Sequence, residues 1–127
     1  MTGAGYREEL VARAIERLAE LGILDDEAFA RAWVESRDRA RPRGERALRS
    51  ELFRKGIDRE LADDVLEKRE ETRPGAEAEA AERLLERHSS ALARISDPRA
   101  RRQRAYALLA RNGFDPDIAA TLSRQIG

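Results

Sequence analysis

Few residues in this sequence have the chemistry of a catalytic or metal site. The chain has no cysteine and one histidine, His88, so thiolate chemistry, disulfides and a zinc site built on a histidine pair are excluded. Two adjacent carboxylate pairs remain. Asp25-Asp26 lies where a helix should begin, and capping explains it. Asp63-Asp64 lies inside a predicted helix, where neighbouring side chains diverge by about 100°. These residues argue against an enzyme, a metal site and a cofactor.

The composition is that of a helical domain with balanced charge. The 127 residues include 25 Lys or Arg and 25 Asp or Glu, and 39% of them are charged. A net charge of zero argues against a disordered polyelectrolyte and against a uniformly basic nucleic-acid binder. The longest apolar run, residues 105–110, is too short for a membrane span, and the N-terminus lacks a signal-peptide core. We therefore expect a cytoplasmic protein without a membrane segment.

Apolar residues at helical spacing, separated by glycine and proline, predict an all-α protein of about seven helices. The first helix should run from about residue 6 to residue 21, with an apolar stripe that Val11 and Ile15 widen. The stripe consists of Tyr6, Leu10, Ala14, Leu18 and Leu21. The fifth helix should extend through Leu92 and Ile95, with His88 at its edge.

The aromatic side chains are assigned to the core. Trp33 lies at helical spacing from Phe29, which favours packing over base stacking. Phe53 is predicted to face inward on the third helix. Tyr106 neighbours arginines, so a contact role competes with core packing, which is the preferred interpretation.

A glycine corner recurs along the chain. Gly56-Ile57-Asp58 reappears as Gly113-Phe114-Asp115, 57 residues later, and Gly5-Tyr6 begins an earlier copy. Glycine ends one helix, the next residue closes the corner with an apolar side chain, and a capped helix leaves in a new direction. The spacing fits three helices per unit, and such units stack because none buries its apolar face alone. We predict tandem three-helix repeats in an elongated array of either hand.

The repeats divide the chain into three parts. Residues 1–22 are the last helix of a first unit, residues 23–73 form a second unit, and residues 74–127 form a third. Two helices that would precede residue 6 in its unit are missing. Tyr6, Leu10 and Val11 should therefore be more exposed than their counterparts in the later units.

The neutral total conceals two basic blocks. Residues 37–55 contain eight basic and three acidic residues, and residues 94–111 contain six and one, so each block carries +5. Residues 7–27 and 58–73 are acidic, at −4 and −3. A solvated helix face is the favoured explanation of either block alone. Because the blocks occupy corresponding positions in two repeats, a basic stripe that meets phosphates or an acidic groove competes with it. The candidate contact residues are Arg37, Arg39, Arg41, Arg43, Arg46, Arg49, Arg99, Arg101, Arg102 and Arg104.

Three stretches of the sequence resemble the RecX family of bacterial recombination regulators. The first, residues 18–30, reads LAELGILDDEAFA and is followed by Arg37 and Arg43-Gly44. The second, residues 48–57, reads LRSELFRKGI, and the third, residues 108–114, reads LLARNGF. The first two are similar to the family's central repeat and the third to its C-terminal repeat. Together the resemblance covers residues 5–126.

The resemblance implies a stack of three-helix repeats that binds the RecA recombinase filament on single-stranded DNA. Such a protein lodges in the filament groove, inhibits the RecA ATPase and strand exchange, and limits filament growth in recombination, DNA repair and the SOS response. It implies no catalytic residue and no cofactor. The ten arginines would then meet acidic or phosphate groups of the filament. Direct contact with single-stranded DNA stays open, and we expect a monomer.

Two other functions fit the sequence. Three short helices with a glycine corner can form a helix-turn-helix DNA-binding module, which predicts sequence-preferring binding to duplex DNA. A helical-repeat scaffold for another protein predicts dependence on neither DNA nor RecA.

Overall fold

The computed structural model describes the backbone of residues 3–126 and the side chains of residues 7–126. This part of the chain is all-α, as predicted, with eight helices. They are α1 (Gly3–Glu20), α2 (Asp26–Ala40), α3 (Glu45–Arg54), α4 (Arg59–Thr72), α5 (Ala76–Arg87), α6 (Ser89–Ala93), α7 (Pro98–Arg111) and α8 (Pro116–Arg124). The predicted fifth helix is divided at His88, whose ring Nδ1 lies 3.0 Å from the Leu84 carbonyl oxygen. Its expected extension through Leu92 is therefore the separate helix α6.

The predicted corners and caps form as the sequence indicates. Four helices begin at an aspartate whose carboxylate accepts backbone N–H groups of the first turn: Asp25, Asp58, Asp97 and Asp115. Gly56 and Gly113 have φ of +88° and +84°, a conformation that glycine adopts without strain. The amides of Ile57 and Phe114 donate to carbonyls five residues back at 2.9 and 3.1 Å, and both side chains are buried. Each corner is a Schellman stop.

Two apolar cores organise the described residues. One lies among α2, α3 and α4 and includes Trp33, Leu48 and Leu66, with Ile15 of α1 added to it. The other lies among α5, α7 and α8 and includes Leu109 and Phe114. The three-part division of the chain stays a prediction.

The two cores are joined where α3 begins against the corner between α7 and α8. The Gly44 amide donates to the Asn112 carbonyl at 2.9 Å, and the Arg46 amide donates to the Gly113 carbonyl at 3.3 Å. A Cβ atom at Gly44 would clash with the Gly113 carbonyl carbon. The buried Glu77 side chain accepts from the amides of Glu45 at 3.2 Å and Asp115 at 3.3 Å. It therefore serves the first turns of α3 and α8 together.

Two aromatic side chains lie outside the core, contrary to prediction. Phe53 is 73% exposed and Tyr106 is 39% exposed. Each follows a fully buried residue, Leu52 and Ala105 respectively. Consecutive residues of a helix point about 100° apart, so each aromatic ring is turned away from the core that its neighbour enters.

The first helix buries a different face from the predicted one. Ile15 enters the core and Val11 packs against it, whereas Leu10, Leu18 and Leu21 are exposed. Leu10 and Val11 are thus more exposed than their counterparts in α4 and α8, as expected, because α1 packs mainly on α2. The predicted role of the Tyr6 side chain lies outside the described residues.

Neither a membrane span nor a metal site is present in the described part of the chain. Residues 3–126 form no helix that is long and apolar enough to cross a membrane. They also bring together no group of three histidine, aspartate or glutamate side chains that could hold a metal ion.

Candidate binding surface

Two arginines of the first basic block are part of an internal cluster around Glu51. The Glu51 side chain is buried, and its Oε1 accepts hydrogen bonds from Trp33 Nε1 at 2.8 Å and Arg37 Nε at 3.0 Å. Arg43 Nε lies 3.1 Å from Oε2 of the same carboxylate. The Arg37 guanidinium also covers the Trp33 ring, 4.6 Å from its centroid. The charges of Arg37 and Arg43 are therefore used to join α2, α3 and the segment between them.

Two further arginines of this block face carboxylates. Arg49 Nε donates to Asp63 at 2.6 Å, which ties α3 to α4. Arg41 Nε lies 3.4 Å from Glu8 of α1. Both arginines remain partly open to solvent, so each ion pair contributes little to stability.

Arg46 and Arg39 keep their charge available. Arg46 Nη2 donates to the Ala110 carbonyl at 3.0 Å, at the carboxyl end of α7. Carbonyl oxygens at a helix end attract a guanidinium without cancelling its charge. Arg39 is exposed on α2, and its side chain has no hydrogen bond or ion pair with a described residue.

The second basic block lies on α7 and has a different character. Arg101 Nε and Nη2 donate to the Ile95 carbonyl at 3.0 and 2.7 Å. The side chains of Arg99, Arg102 and Arg104 meet no carboxylate within residues 7–126. Tyr106 is exposed one helical turn after Arg102. No described carboxylate offsets the charge of these three arginines. The first half of α7, which carries them, is therefore the part of the predicted site best suited to an anionic partner.

The candidate arginines of the two blocks lie at different positions along α7. Arg43 and Arg46 lie at the carboxyl end of α7, where Arg43 Nη1 donates to Asn112 at 3.0 Å. Arg99 and Arg104 lie in the first half of that helix. At 1.5 Å per residue, they are roughly 12–20 Å from Asn112 along the axis. The contacts of Arg43 and Arg46 are therefore at the carboxyl end of α7, whereas Arg99 and Arg104 lie nearer its amino end.

A carboxylate at the start of α3, where the two apolar cores are joined, has a raised pKa. Burial raises the pKa of Glu45 above its ordinary value of 4.5, and the neighbouring Glu77 carboxylate raises it further. Arg49 and Arg69 act in the opposite direction with smaller effect.

A cluster on α2, α4 and α5 was missed by the sequence analysis. Asp38 is buried, and its Oδ2 lies 3.2 Å from Arg69 Nε and 2.9 Å from Arg73 Nη2. Arg83 of α5 donates to the Asp38 carbonyl at 3.1 Å. The four residues are up to 45 residues apart in the sequence. Asp38 lies in a basic segment, whereas Arg69 and Arg73 lie in an acidic one. The signal available was Asp38 itself, an acidic residue inside a basic block.

Comparison with known proteins identifies the family. A family model described as "RecX, second three-helix domain" matches residues 25–66. The regulatory protein RecX of Mycobacterium sp. (strain JLS) is 41% identical over 123 residues, covering 94% of this chain and 65% of the relative. The regulatory protein RecX of Chlorobium limicola is 34% identical over 125 residues, covering 98% of this chain and 74% of the relative. The chain belongs to the RecX family.

A solved structure agrees with the fold of this RecX-family chain. The crystal structure of RecX from Lactobacillus salivarius matches with a TM-score of 0.62 at 23% identity, covering 87% of this chain and 70% of that one. This likeness concerns the fold alone. The RecX-family chain spans about two thirds of the length of the mycobacterial relatives that it matches.

Proposed function

We propose that this chain modulates the RecA recombinase filament on single-stranded DNA and lowers its ATPase rate, filament growth and strand exchange. Membership of the RecX family supports this proposal, since the matched relatives are named regulatory proteins. The sequence resemblance supplies the partner. Recombination, DNA repair and the SOS response are the processes in which this regulation would act.

The repeat organisation is part of the proposal. Residues 1–22 would be the last helix of one unit, residues 23–73 a second unit and residues 74–127 a third. The separate cores of α2–α4 and α5–α8 are consistent with this division. The close approach of Gly44 and Gly113 would hold the second and third units in one orientation against the filament.

One observation favours a particular contact surface. Arg99, Arg102 and Arg104 on α7 and Arg39 on α2 are the candidate arginines without a side-chain partner among the described residues. We assign direct contact with acidic or phosphate groups to these four. A cation that is not already paired gains more from an incoming anion, because no internal ion pair has to be broken.

The other six candidates take graded roles in this proposal. Arg46 and Arg101 donate to carbonyls and keep a net positive charge, so they would add to the attraction. The remaining four have carboxylate partners and would mainly position the surface; they are Arg37, Arg41, Arg43 and Arg49. We propose that the chain acts as a cytoplasmic monomer without a cofactor.

The test is the single-stranded-DNA-dependent ATPase rate of the cognate RecA, titrated with this chain. We expect a dose-dependent fall at a substoichiometric ratio of chain to RecA. An unchanged rate, with the chain shown to be folded by circular dichroism, would contradict the proposal for this chain.

Direct DNA binding is a second candidate, and exposed Tyr106 favours it. An aromatic ring one turn from Arg102 combines a stacking surface with a cation, as single-strand binders do. This function predicts DNA binding without RecA and a steep loss of affinity with salt. A helix-turn-helix module would in addition prefer particular duplex sequences. Titration of labelled single-stranded and duplex DNA in the absence of RecA separates these outcomes.

A further inference from the structure

A groove of about 730 Å³ lies between α2 and α4 and reaches α5. Its apolar floor is formed by Val34 of α2 and by Leu61 and Val65 of α4. The volume is in the range of sites that take small ligands or a few residues of a peptide. Arg39 is the one residue that it shares with the ten candidate arginines, so the groove is largely separate from the proposed filament surface.

Four of the groove's arginines surround Asp38. Arg39, Arg69, Arg73 and Arg83 line this part of the groove together with Asp38. Arg69 and Arg73 share the Oδ2 atom of Asp38, at 3.2 and 2.9 Å. The lining here thus has four guanidinium groups and one carboxylate, which pairs with two of them. We call these five residues the arginine end.

Arg69 supplies an independent sign that an acceptor belongs there. Its side chain is 6% exposed, and its Nη1 and Nη2 have no hydrogen-bond acceptor among the described residues. Arg83 Nε, which also lines the groove, is likewise buried without a hydrogen-bond acceptor among the described residues. Buried N–H groups of a charged side chain are costly when unpaired, and an oxygen acceptor that enters the groove lowers that cost.

We propose that the groove binds a short acidic peptide segment of a protein partner. A carboxylate of the segment would lie at the arginine end, and an apolar side chain would lie on Val34, Leu61 and Val65. This site goes beyond the proposed function and does not depend on RecA.

The lining favours a peptide over a nucleic-acid strand. The described residues that line the groove include no aromatic ring on which a base could stack, and stacking is a main source of affinity for single strands. Glu27, Glu35 and Asp64 lie along the groove and would repel a continuous row of phosphates. A peptide with separate acidic and apolar residues avoids that repulsion.

Peptide titration followed by amide chemical shifts tests the site. The probe is a blocked hexapeptide made only of glutamate and leucine, and its control has glutamine in place of glutamate. We expect saturable shifts confined to α2, α4 and the part of α5 around Arg83, with at least about tenfold weaker binding of the glutamine peptide, since charge-assisted hydrogen bonds are the strong ones.

Two variants of α4 should change the affinity in opposite directions. Lys68 and Asp64 are exposed in the groove lining, and no described residue pairs with either side chain. Lys68→Glu should weaken binding by about threefold to tenfold, and Asp64→Lys should strengthen it by a similar factor. Arg124→Glu on α8 is the matched control, because it makes the same charge change away from the groove, and it should leave the affinity unchanged.

Three results would overturn the proposal. One is the absence of saturable shifts with the glutamate peptide at millimolar concentration. Another is equal binding of the glutamine peptide. The third is tighter binding of a twenty-residue oligothymidylate that responds to the same α4 variants, which would assign the groove to nucleic acid.

Discussion

The two basic blocks carry the same net charge and use it differently. In the first block, Arg37 and Arg43 meet the buried carboxylate of Glu51, and Arg49 meets Asp63. In the second block, Arg99 and Arg102 meet no carboxylate among residues 7–126. A count of charges along the sequence cannot separate these cases. The difference lies in where the fold places acidic side chains from other helices.

This difference favours the second block as the proposed contact surface. Cations that already hold the fold together would have to break internal ion pairs before they bind a partner. Cations that face solvent alone bind without that cost. We therefore propose that α7 contacts the partner, while the first block mainly builds the surface that presents it.

The largest effect of a single substitution is expected at Glu51. Glu51→Ala removes the hydrogen-bond acceptor of Arg37 and Trp33 Nε1 and the ion-pair partner of Arg43. It should lower the free energy of unfolding by about 3–5 kcal/mol, since largely buried charges lose their partner. Urea denaturation measures this. The control is Glu86→Ala on exposed α5 surface, which should change it by less than about 0.5 kcal/mol. Equal losses in the two variants would show that the first block is not held by Glu51.

A smaller effect on stability is expected where the start of α3 contacts the corner between α7 and α8. Gly113 and Gly56 have nearly the same positive φ, and alanine at either should cost about 1–2 kcal/mol in backbone strain. A Cβ at Gly113 would in addition lie 2.5 Å from the Ala47 amide nitrogen, whereas Gly56 has nothing within 4 Å. Thermal unfolding should therefore show a larger loss for Gly113→Ala than for Gly56→Ala. Indistinguishable melting temperatures would contradict the close approach.

The effect of Glu45 protonation on stability should be smaller than that of the glycine substitutions. Burial and Glu77 raise its pKa above 4.5, so the folded state binds the proton more tightly than the unfolded state. The charged Glu45 side chain therefore lowers the free energy of unfolding at pH 7. This loss disappears as the pH falls through the raised pKa towards 4.5.

Glu45→Gln should therefore stabilise the fold at pH 7, by less than about 1 kcal/mol because the side chain is partly exposed. The advantage should vanish near pH 4.5. Urea denaturation at both pH values is the measurement, and a variant that is less stable at pH 7 would reverse the sign.

The smallest effect on stability is expected on α7. Simultaneous Arg99→Glu, Arg102→Glu and Arg104→Glu should leave the free energy of unfolding within about 0.5–1 kcal/mol of the wild type, because no described carboxylate loses a partner. The matched change in the first block, Arg37→Glu with Arg43→Glu, should prevent stable folding because it adds two carboxylates beside Glu51. Circular dichroism distinguishes these outcomes, and comparable unfolding of both variants would remove the contrast.

Local features of this fold could be predicted from the sequence, and distant pairings could not. The caps at Asp58 and Asp115 and the corners at Gly56 and Gly113 depend on residues within one turn, so their spacing is sufficient. The Glu51 cluster depends on side chains 14 and 18 residues away, which share no local pattern with it.

The side to which the exposed aromatic rings point could also not be predicted from the sequence. Phe53 and Tyr106 lie next to residues that do enter the core, and hydropathy alone assigns both members of each pair to it. The exposed Leu18 was misassigned for a related reason, because helical spacing gives an apolar face but not the neighbour that covers it.

The most direct test compares wild type and the α7 triple variant in binding to the RecA filament formed on fluorescently labelled single-stranded DNA. We expect the triple variant to bind at least about tenfold more weakly, because three attractions become repulsions. Arg31→Glu, Arg59→Glu and Arg124→Glu make the same total charge change elsewhere and should bind within about threefold of the wild type. If the α7 variant stays folded and binds as tightly as the wild type, α7 is not the contact surface.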